Sequence, residues 1–164
     1  MTDFYDLIRY EEGWRSKPYL CSEGYPTVGF GFRIGPKGTP ISHYDLELPP
    51  AVGEVWLLEH AKDIIAELNQ HASTRRALDS CLAADRQPAG MWMHGPRASV
   101  LVSMAYQMGV WGLLKFNQTL THVGNAAWSN AEGNMLNSLW AKQTPARAKR
   151  HAVQMRTGVW DQNY

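Results

Sequence analysis

The sequence predicts an α+β fold, on three observations. From Tyr19 to Ile34, aromatics, Thr and Val are broken by Gly24, Gly29 and Gly31, the texture of short strands and tight turns. Beyond Pro50 the apolar residues recur mostly at helical spacing, without the strand–helix alternation of a parallel sheet. Hydrophobic residues make up 45% of the chain and aromatics 11%, enough for a packed interior.

The elements follow in order. Residues 3–12 read as a short helix with Phe4, Leu7 and Ile8 on one face, Thr2 or Asp3 to cap it and Gly13 to end it. The Tyr19–Ile34 stretch reads as a small antiparallel sheet, and "IGPKGTP" and "LPP" as loops. A helical stripe resumes with Val55, Trp56, Ile64, Ile65 and Leu68, and "AADRQPAG" marks a loop near residues 83–90. Helices are expected over 97–109, 116–123, 126–136 and 145–156, the last opening on Pro145, which suits a first helical turn. Ala98–Leu114 carries no charge, but it contains Ser99, Ser103, Gln107, Gly109 and Gly112 and falls short of the ~20 apolar residues of a membrane span. It is expected to be the central strut of a core.

At 164 residues the chain is one domain, or two small lobes sharing a core. The formal charge of +1 gives no global field toward nucleic acid or membrane. Two cysteines, Cys21 and Cys81, are too few for a disulfide framework and read as thiols in a reducing compartment. "MTDFYDLIRYEEG" has acids where a signal peptide needs a basic region, so synthesis in a cytoplasm without an export signal is expected.

Several chemistries are set aside by motif. No HExxH or CxxC is present, and "GFRIGPKG" lacks the order of a phosphate-binding loop. "VGFGFRIG" departs from an RNA-binding signature at Val28, Arg33 and Gly35. What stands out is Glu12, Cys21 and Thr27, spaced E-x8-C-x5-T: a helix end, a turn and a strand that can converge. Equally, Glu12 can be a solvated acid, Cys21 a small buried hydrophobe and Thr27 an ordinary strand residue. Spacing alone favours the second reading.

With their flanks, these residues resemble a known family. "FYDLIRYEEGWRSKPYLCSEGYPTVGFGF", "AYQMGVWGLLKFNQTL" and "SLWAKQTPARAKRHAVQMRTGVWD" are similar, in order and spacing, to segments of the phage-type lysozymes, glycoside hydrolase family 24, particularly those of T-even phages. Residues 33–95 match more loosely. The resemblance implies a lysozyme-like fold of two lobes about a cleft, with a sheet-bearing lobe over 13–60, a helical lobe from 1–12 and 70–164, and a connecting helix over about 52–70. It also implies an endolysin muramidase (EC 3.2.1.17) that cleaves the β-1,4 bond between N-acetylmuramic acid and N-acetylglucosamine in peptidoglycan, with lysis of a bacterial host.

The family's acid is the glutamate immediately before a glycine, which selects Glu12 over Glu11. Its threonine falls on Thr27, and its second residue, usually aspartate, falls on Cys21. Such a reaction needs an acid that still holds its proton when the bond breaks, and a water on the opposite face. An inverting course leaves room for that water by keeping the catalytic groups ~6.5–9.5 Å apart. Glu12 is then the donor, with Cys21 and Thr27 at the water. A thiol near pKa ~8.5 is mostly neutral at pH 7, whereas aspartate is ionised, so Cys21 acts either as thiolate or as a neutral wall of the water pocket.

The resemblance further implies that Arg147 pairs with the acid, and that Tyr106, Thr119 and Asn134 contact substrate. Arg33 replaces an apolar cleft residue of the family, and Phe32 a frequent histidine. From Gly133 to Trp160 there is no acid, while Lys142, Arg147, Lys149, Arg150 and Arg156 are basic, a face suited to an anionic envelope. No metal or cofactor is expected. The protein is expected to be a monomer that acts on peptidoglycan, binds no nucleic acid and inserts into no membrane. A holin would admit it from the host cytoplasm to the wall in the periplasm. A wall-binding protein without catalysis, a nucleic-acid binder and a zinc amidase are the rivals.

Overall fold

A computed structural model describes residues 2–164. The described residues form helix α1 (Phe4–Glu12), strands β1 (Arg15–Leu20), β2 (Pro26–Gly29) and β3 (Phe32–Arg33), and helices α2 (Pro50–Gln70) and α3 (Ala72–Ala84). Then come α4 (Pro96–Met108), α5 (Val110–Leu114), α6 (Asn117–Gly124), α7 (Trp128–Leu136), α8 (Leu139–Gln143) and α9 (Pro145–Thr157). Short 3-10 turns cover Ile41–His43 and Ala89–His94. This is the expected α+β arrangement.

Two units divide the chain. One is Ile8–His60; the other joins the described residues up to Leu7 with Ala61–Tyr164. Both α1 and α2 run through a boundary between them.

In the Ile8–His60 unit, β1, β2 and β3 pair antiparallel in that order. The β1–β2 register sets Tyr19 against Thr27 and Leu20 against Pro26, and it shifts between Arg15 and Tyr19, where Pro18 has no amide to offer a ladder. The aromatics of "GYPTVGFGF" and their neighbours fill the space beside the sheet. Trp14 packs on Phe30 at 4.8 Å, Phe30 on Phe32 at 6.5 Å, and Phe32 edge-on to Trp56 at 5.6 Å.

The other unit is built round α4. Every residue from Pro96 to Ala105 is buried, so the part of the uncharged run that starts at Ala98 meets protein on all sides. Burying its larger apolar side chains is worth about 1.5–3 kcal/mol each. No helix among the described residues is long and apolar enough to cross a membrane. The uncharged run breaks at Gly109, which has φ +76°, and α5 begins beyond it. Helices α3 and α8 have no counterpart in the sequence reading, and α5 falls inside the Ala98–Leu114 run read as one strut. Both α5 and α8 are one-turn pieces below the length at which periodicity is visible.

A buried ion pair ties this unit together. Arg97 donates through Nη1 to Asp85 Oδ1 at 2.6 Å, through Nε to the Met155 carbonyl at 2.9 Å, and through Nη2 to that of Arg156 at 3.2 Å. Its guanidinium also lies 4.5 Å from the centre of the Trp128 ring. Gly158, the residue that ends α9, holds φ +67°, and a Cβ there would sit 2.6 Å from Arg97 Cζ. Gly158→Ala is therefore expected to cost at least ~1–2 kcal/mol from the left-handed backbone alone, before the guanidinium is displaced. Gly133→Ala, in open space within α7, is the control for a thermal melt. Equal melting of the two variants would contradict this.

Candidate functional site

The Ile8–His60 unit holds Glu12, Cys21 and Thr27. Asp3 caps α1: its Oδ1 accepts from the amides of Tyr5 at 2.8 Å and Asp6 at 3.4 Å, and Asp6 Oδ2 accepts from the Asp3 amide at 3.2 Å. Gly13, at φ +67°, closes the helix by donating to the Arg9 carbonyl at 3.1 Å. Glu12 is thereby the last helical residue. Its carboxylate comes near the β2–β3 turn, where a Cβ on Gly31 would lie 3.7 Å from Oε2.

Cys21 begins a tight turn after β1. Its amide donates to the Tyr25 carbonyl at 3.0 Å, and the Gly24 amide donates to the Cys21 carbonyl at 2.8 Å. This folding turns the amides of Tyr25 and Glu23 toward the half-buried sulfur. The Tyr25 amide is the main reason the thiol pKa is held below its ordinary value; partial burial opposes it, while the Glu23 amide, the Thr27 hydroxyl and the Arg33 charge assist. Thr27 is buried in β2 and donates its one hydroxyl proton to the Tyr25 carbonyl at 2.9 Å. A thiolate at Cys21 would compete for that proton.

Tyr19 lies within electrostatic range of both Glu12 and Cys21, and sequence reasoning missed it. It stands opposite Thr27 in the register, beneath the Arg15 guanidinium at 4.2 Å. Burial raises its phenol pKa; Arg15 opposes this, and negative charge on Cys21 and Glu12 adds to the rise. The signal available was a strand aromatic two residues before Cys21. Arg33 is not an apolar contact: it pairs with Glu23 at 2.5 Å and stacks on Tyr25 at 4.1 Å, beside the Cys21 turn.

The remaining candidates lie in the larger unit. Thr119, buried on α6, and Asn134, half-buried on α7, line one groove of about 720 Å³ with Phe116, Ser138 and Trp140. Trp140 Nε1 donates to Gln107 Oε1 at 2.8 Å, which fixes the indole in the groove wall. Tyr106, half-buried near the end of α4, is not among the residues lining this groove. Arg147 is buried on α9, so the basic segment is not uniformly solvated; Lys142, Lys149 and Arg156 are exposed, and Arg156 pairs with Glu132 at 2.9 Å. Among the described residues, no group of three or more His, Cys, Asp or Glu could hold a metal ion, and neither cysteine is in a disulfide.

An α+β chain with a helix-end glutamate, a strand threonine and a turn residue between them is the arrangement the phage-type resemblance implies. Comparison with known proteins agrees: the chain is related to the T4-type lysozymes. It is similar to "Probable T4-type lysozyme 1" of Dictyostelium discoideum, 27% identical over 163 residues and covering 94% of each chain. "Probable T4-type lysozyme 2" of the same organism is 26% identical over 171 residues, with the same coverage. The "Pre-baseplate central spike protein Gp5" of Enterobacteria phage T4 is 30% identical over 158 residues; the match takes in 93% of this chain and spans 27% of the spike protein. No family model matches.

Proposed function

We propose that this protein is a lysozyme: a muramidase that hydrolyses the β-1,4 bond between N-acetylmuramic acid and N-acetylglucosamine in bacterial peptidoglycan. The observation that carries the reading is the grouping of Glu12, Tyr19, Cys21 and Thr27 in one unit of a chain related to T4-type lysozymes. In this reading Glu12 donates a proton to the leaving oxygen, and the Cys21 thiolate with Thr27 holds and deprotonates the attacking water, so the anomeric centre inverts. Arg147 takes the supporting role toward the acid that the resemblance implies. Thr119 and Asn134 in the groove, and Tyr106, take substrate contacts. The protein acts as a monomeric endolysin, made in a host cytoplasm and admitted to the wall by a holin. A second reading, a virion-borne lysin, draws on the similarity to the phage T4 spike protein. Detection of the chain in purified virions would select it.

The test is reducing-end release from purified Gram-negative peptidoglycan. Cys21→Ala is expected to lose activity by ~10²–10⁴-fold, the usual worth of a general base. Cys21→Asp should retain turnover. Because the thiol must ionise, wild-type activity should climb with pH through a value below that of an unperturbed thiol. In Cys21→Asp the same limb should move several units toward acid, since carboxylates ionise near ~3.9. Full activity of Cys21→Ala would remove the base and leave Cys21 as a wall of the water pocket.

A further inference from the structure

A second polar cluster lies apart from the groove, inside the larger unit. Ser103 on α4 is wholly buried, as is His151 on α9, and Arg147 one turn earlier is 7% exposed. Arg147 Nη2 donates to Ser103 Oγ at 2.8 Å and to the Ser103 carbonyl at 3.2 Å. Ser103 Oγ also lies 2.8 Å from His151 Nε2, and Tyr164 Oη lies 3.2 Å from His151 Nδ1.

Donor counting orders the protons. A guanidinium only donates, so Ser103 Oγ accepts from Arg147 and has one proton to place. With that proton directed to His151 Nε2, the acceptor 2.8 Å away, Nε2 itself carries none. A neutral imidazole therefore holds its proton on Nδ1 and directs it to Tyr164 Oη. The chain runs in one direction, from Arg147 through Ser103 and His151 to Tyr164.

We propose that Ser103, His151 and Tyr164 are positioning residues that fix the Arg147 guanidinium by this directed hydrogen-bond chain. The proposal rests on the reading of Arg147 as the residue that supports the acid. Its physical basis is rotamer entropy. Arginine has a large share of it, and a partner whose own hydroxyl is locked gives a better-defined geometry than one free to turn.

The chain also makes the arrangement sensitive to acid. The groups facing His151 include Ser103 from α4, the Trp140 ring from α8 at 6.1 Å, Tyr164 from the segment after α9, and Arg147 and Arg150 from its own helix. Burial above all, then the charges of Arg147 and Arg150, hold the imidazole pKa well below its ordinary value. Protonation would place a second donor on Ser103 Oγ and strand its hydroxyl proton. With a native pKa below the unfolded ~6.5, the native state binds fewer protons in between. The stability from this group is therefore full above ~6.5 and is lost as pH falls through the native value.

Two measurements test the proposal. Imidazole ¹⁵N NMR of the full chain should show His151 still neutral, with the proton on Nδ1, at pH values where an ordinary imidazole (~6.5) is already protonated. Titration at an ordinary ~6.5, or a proton on Nε2, overturns it. Kinetically, His151→Leu should lower kcat by ~10–100-fold, the scale of an ångström-sized misplacement, with little change in KM. His151→Gln, whose amide oxygen can replace Nε2 as acceptor, should recover most of that loss. Ser103→Ala, a smaller change, should lower kcat similarly and serves if His151→Leu does not fold. Folded variants with wild-type kcat, or a His151→Gln no better than His151→Leu, overturn the proposal. Absence of turnover in the wild type would instead defeat the muramidase reading, and the NMR result would still decide the hydrogen-bond chain.

Discussion

Glu12→Gln is expected to reduce peptidoglycan hydrolysis by ~10²–10⁴-fold while leaving the fold intact. Glutamine keeps the size of the side chain and its reach past the Gly31 turn, but has no proton to give to a leaving sugar oxygen. Since the site is proposed to work by protonation of the leaving group, the loss should appear in kcat. The neighbouring Glu11→Gln is the internal control. It changes charge equally, one residue away, but is not the proposed proton donor, so it should lose far less activity than Glu12→Gln. Reducing-end release with matched circular dichroism checks both. Comparable losses in the two variants would show that net charge, not acid catalysis, is being measured. Unchanged activity of Glu12→Gln would remove Glu12 as the acid.

Asp85→Ala is expected to be the most damaging single change for stability. The Asp85 side chain is 1% exposed, accepts from the Arg97 amide at 2.8 Å, and pairs with the Arg97 guanidinium at 2.6 Å. Removing it leaves a buried cation with two carbonyls and no counter-charge. Breaking such a pair costs about 3–5 kcal/mol, which for a chain of this size lowers Tm by roughly 6–20 °C. The attraction alone does not set that figure. Burial pushes the Asp85 carboxyl pKa up against the pull of Arg97, so the ionised pair carries a desolvation cost. A raised native value means that this group favours the folded state most strongly below ~3.9, an advantage lost as pH rises through the native value. The double variant Asp85→Ala/Arg97→Met should therefore melt above Asp85→Ala. If the double variant melts lower still, Arg97 is holding α9 chiefly through the Met155 and Arg156 carbonyls.

Much of the fold was legible because its signals are local. Phe4, Leu7 and Ile8 mark the buried face of α1, Asp3 and Gly13 its two ends, and all are near neighbours in sequence. The glycine-punctuated aromatics from Tyr19 to Ile34 contain β2 and β3 and the end of β1, and Pro145 begins α9 as its fixed φ allows. The "LPP" loop reading ends where Pro50 opens α2. Elements without a local signal were not found as separate elements. α5 and α8 have five residues each, too few to show a period. α3 begins two residues after α2 ends, across His71, with no glycine or proline to mark the break.

The sequence by itself determined the fold class, the order of the main helices and strands, and the types and spacing of Glu12, Cys21 and Thr27. Tertiary structure decided what those and other polar residues experience. It brought Tyr19 opposite Thr27 and within electrostatic range of Glu12 and Cys21, and turned Arg33 onto Tyr25 beside the thiol. It buried Arg147 in a segment that reads as a solvated basic face, and joined Ser103 to His151 across 48 residues. The physical reason is one of range. Helix and turn propensities depend on the next few residues, whereas a buried polar group must find its hydrogen-bond partner wherever packing brings one within reach.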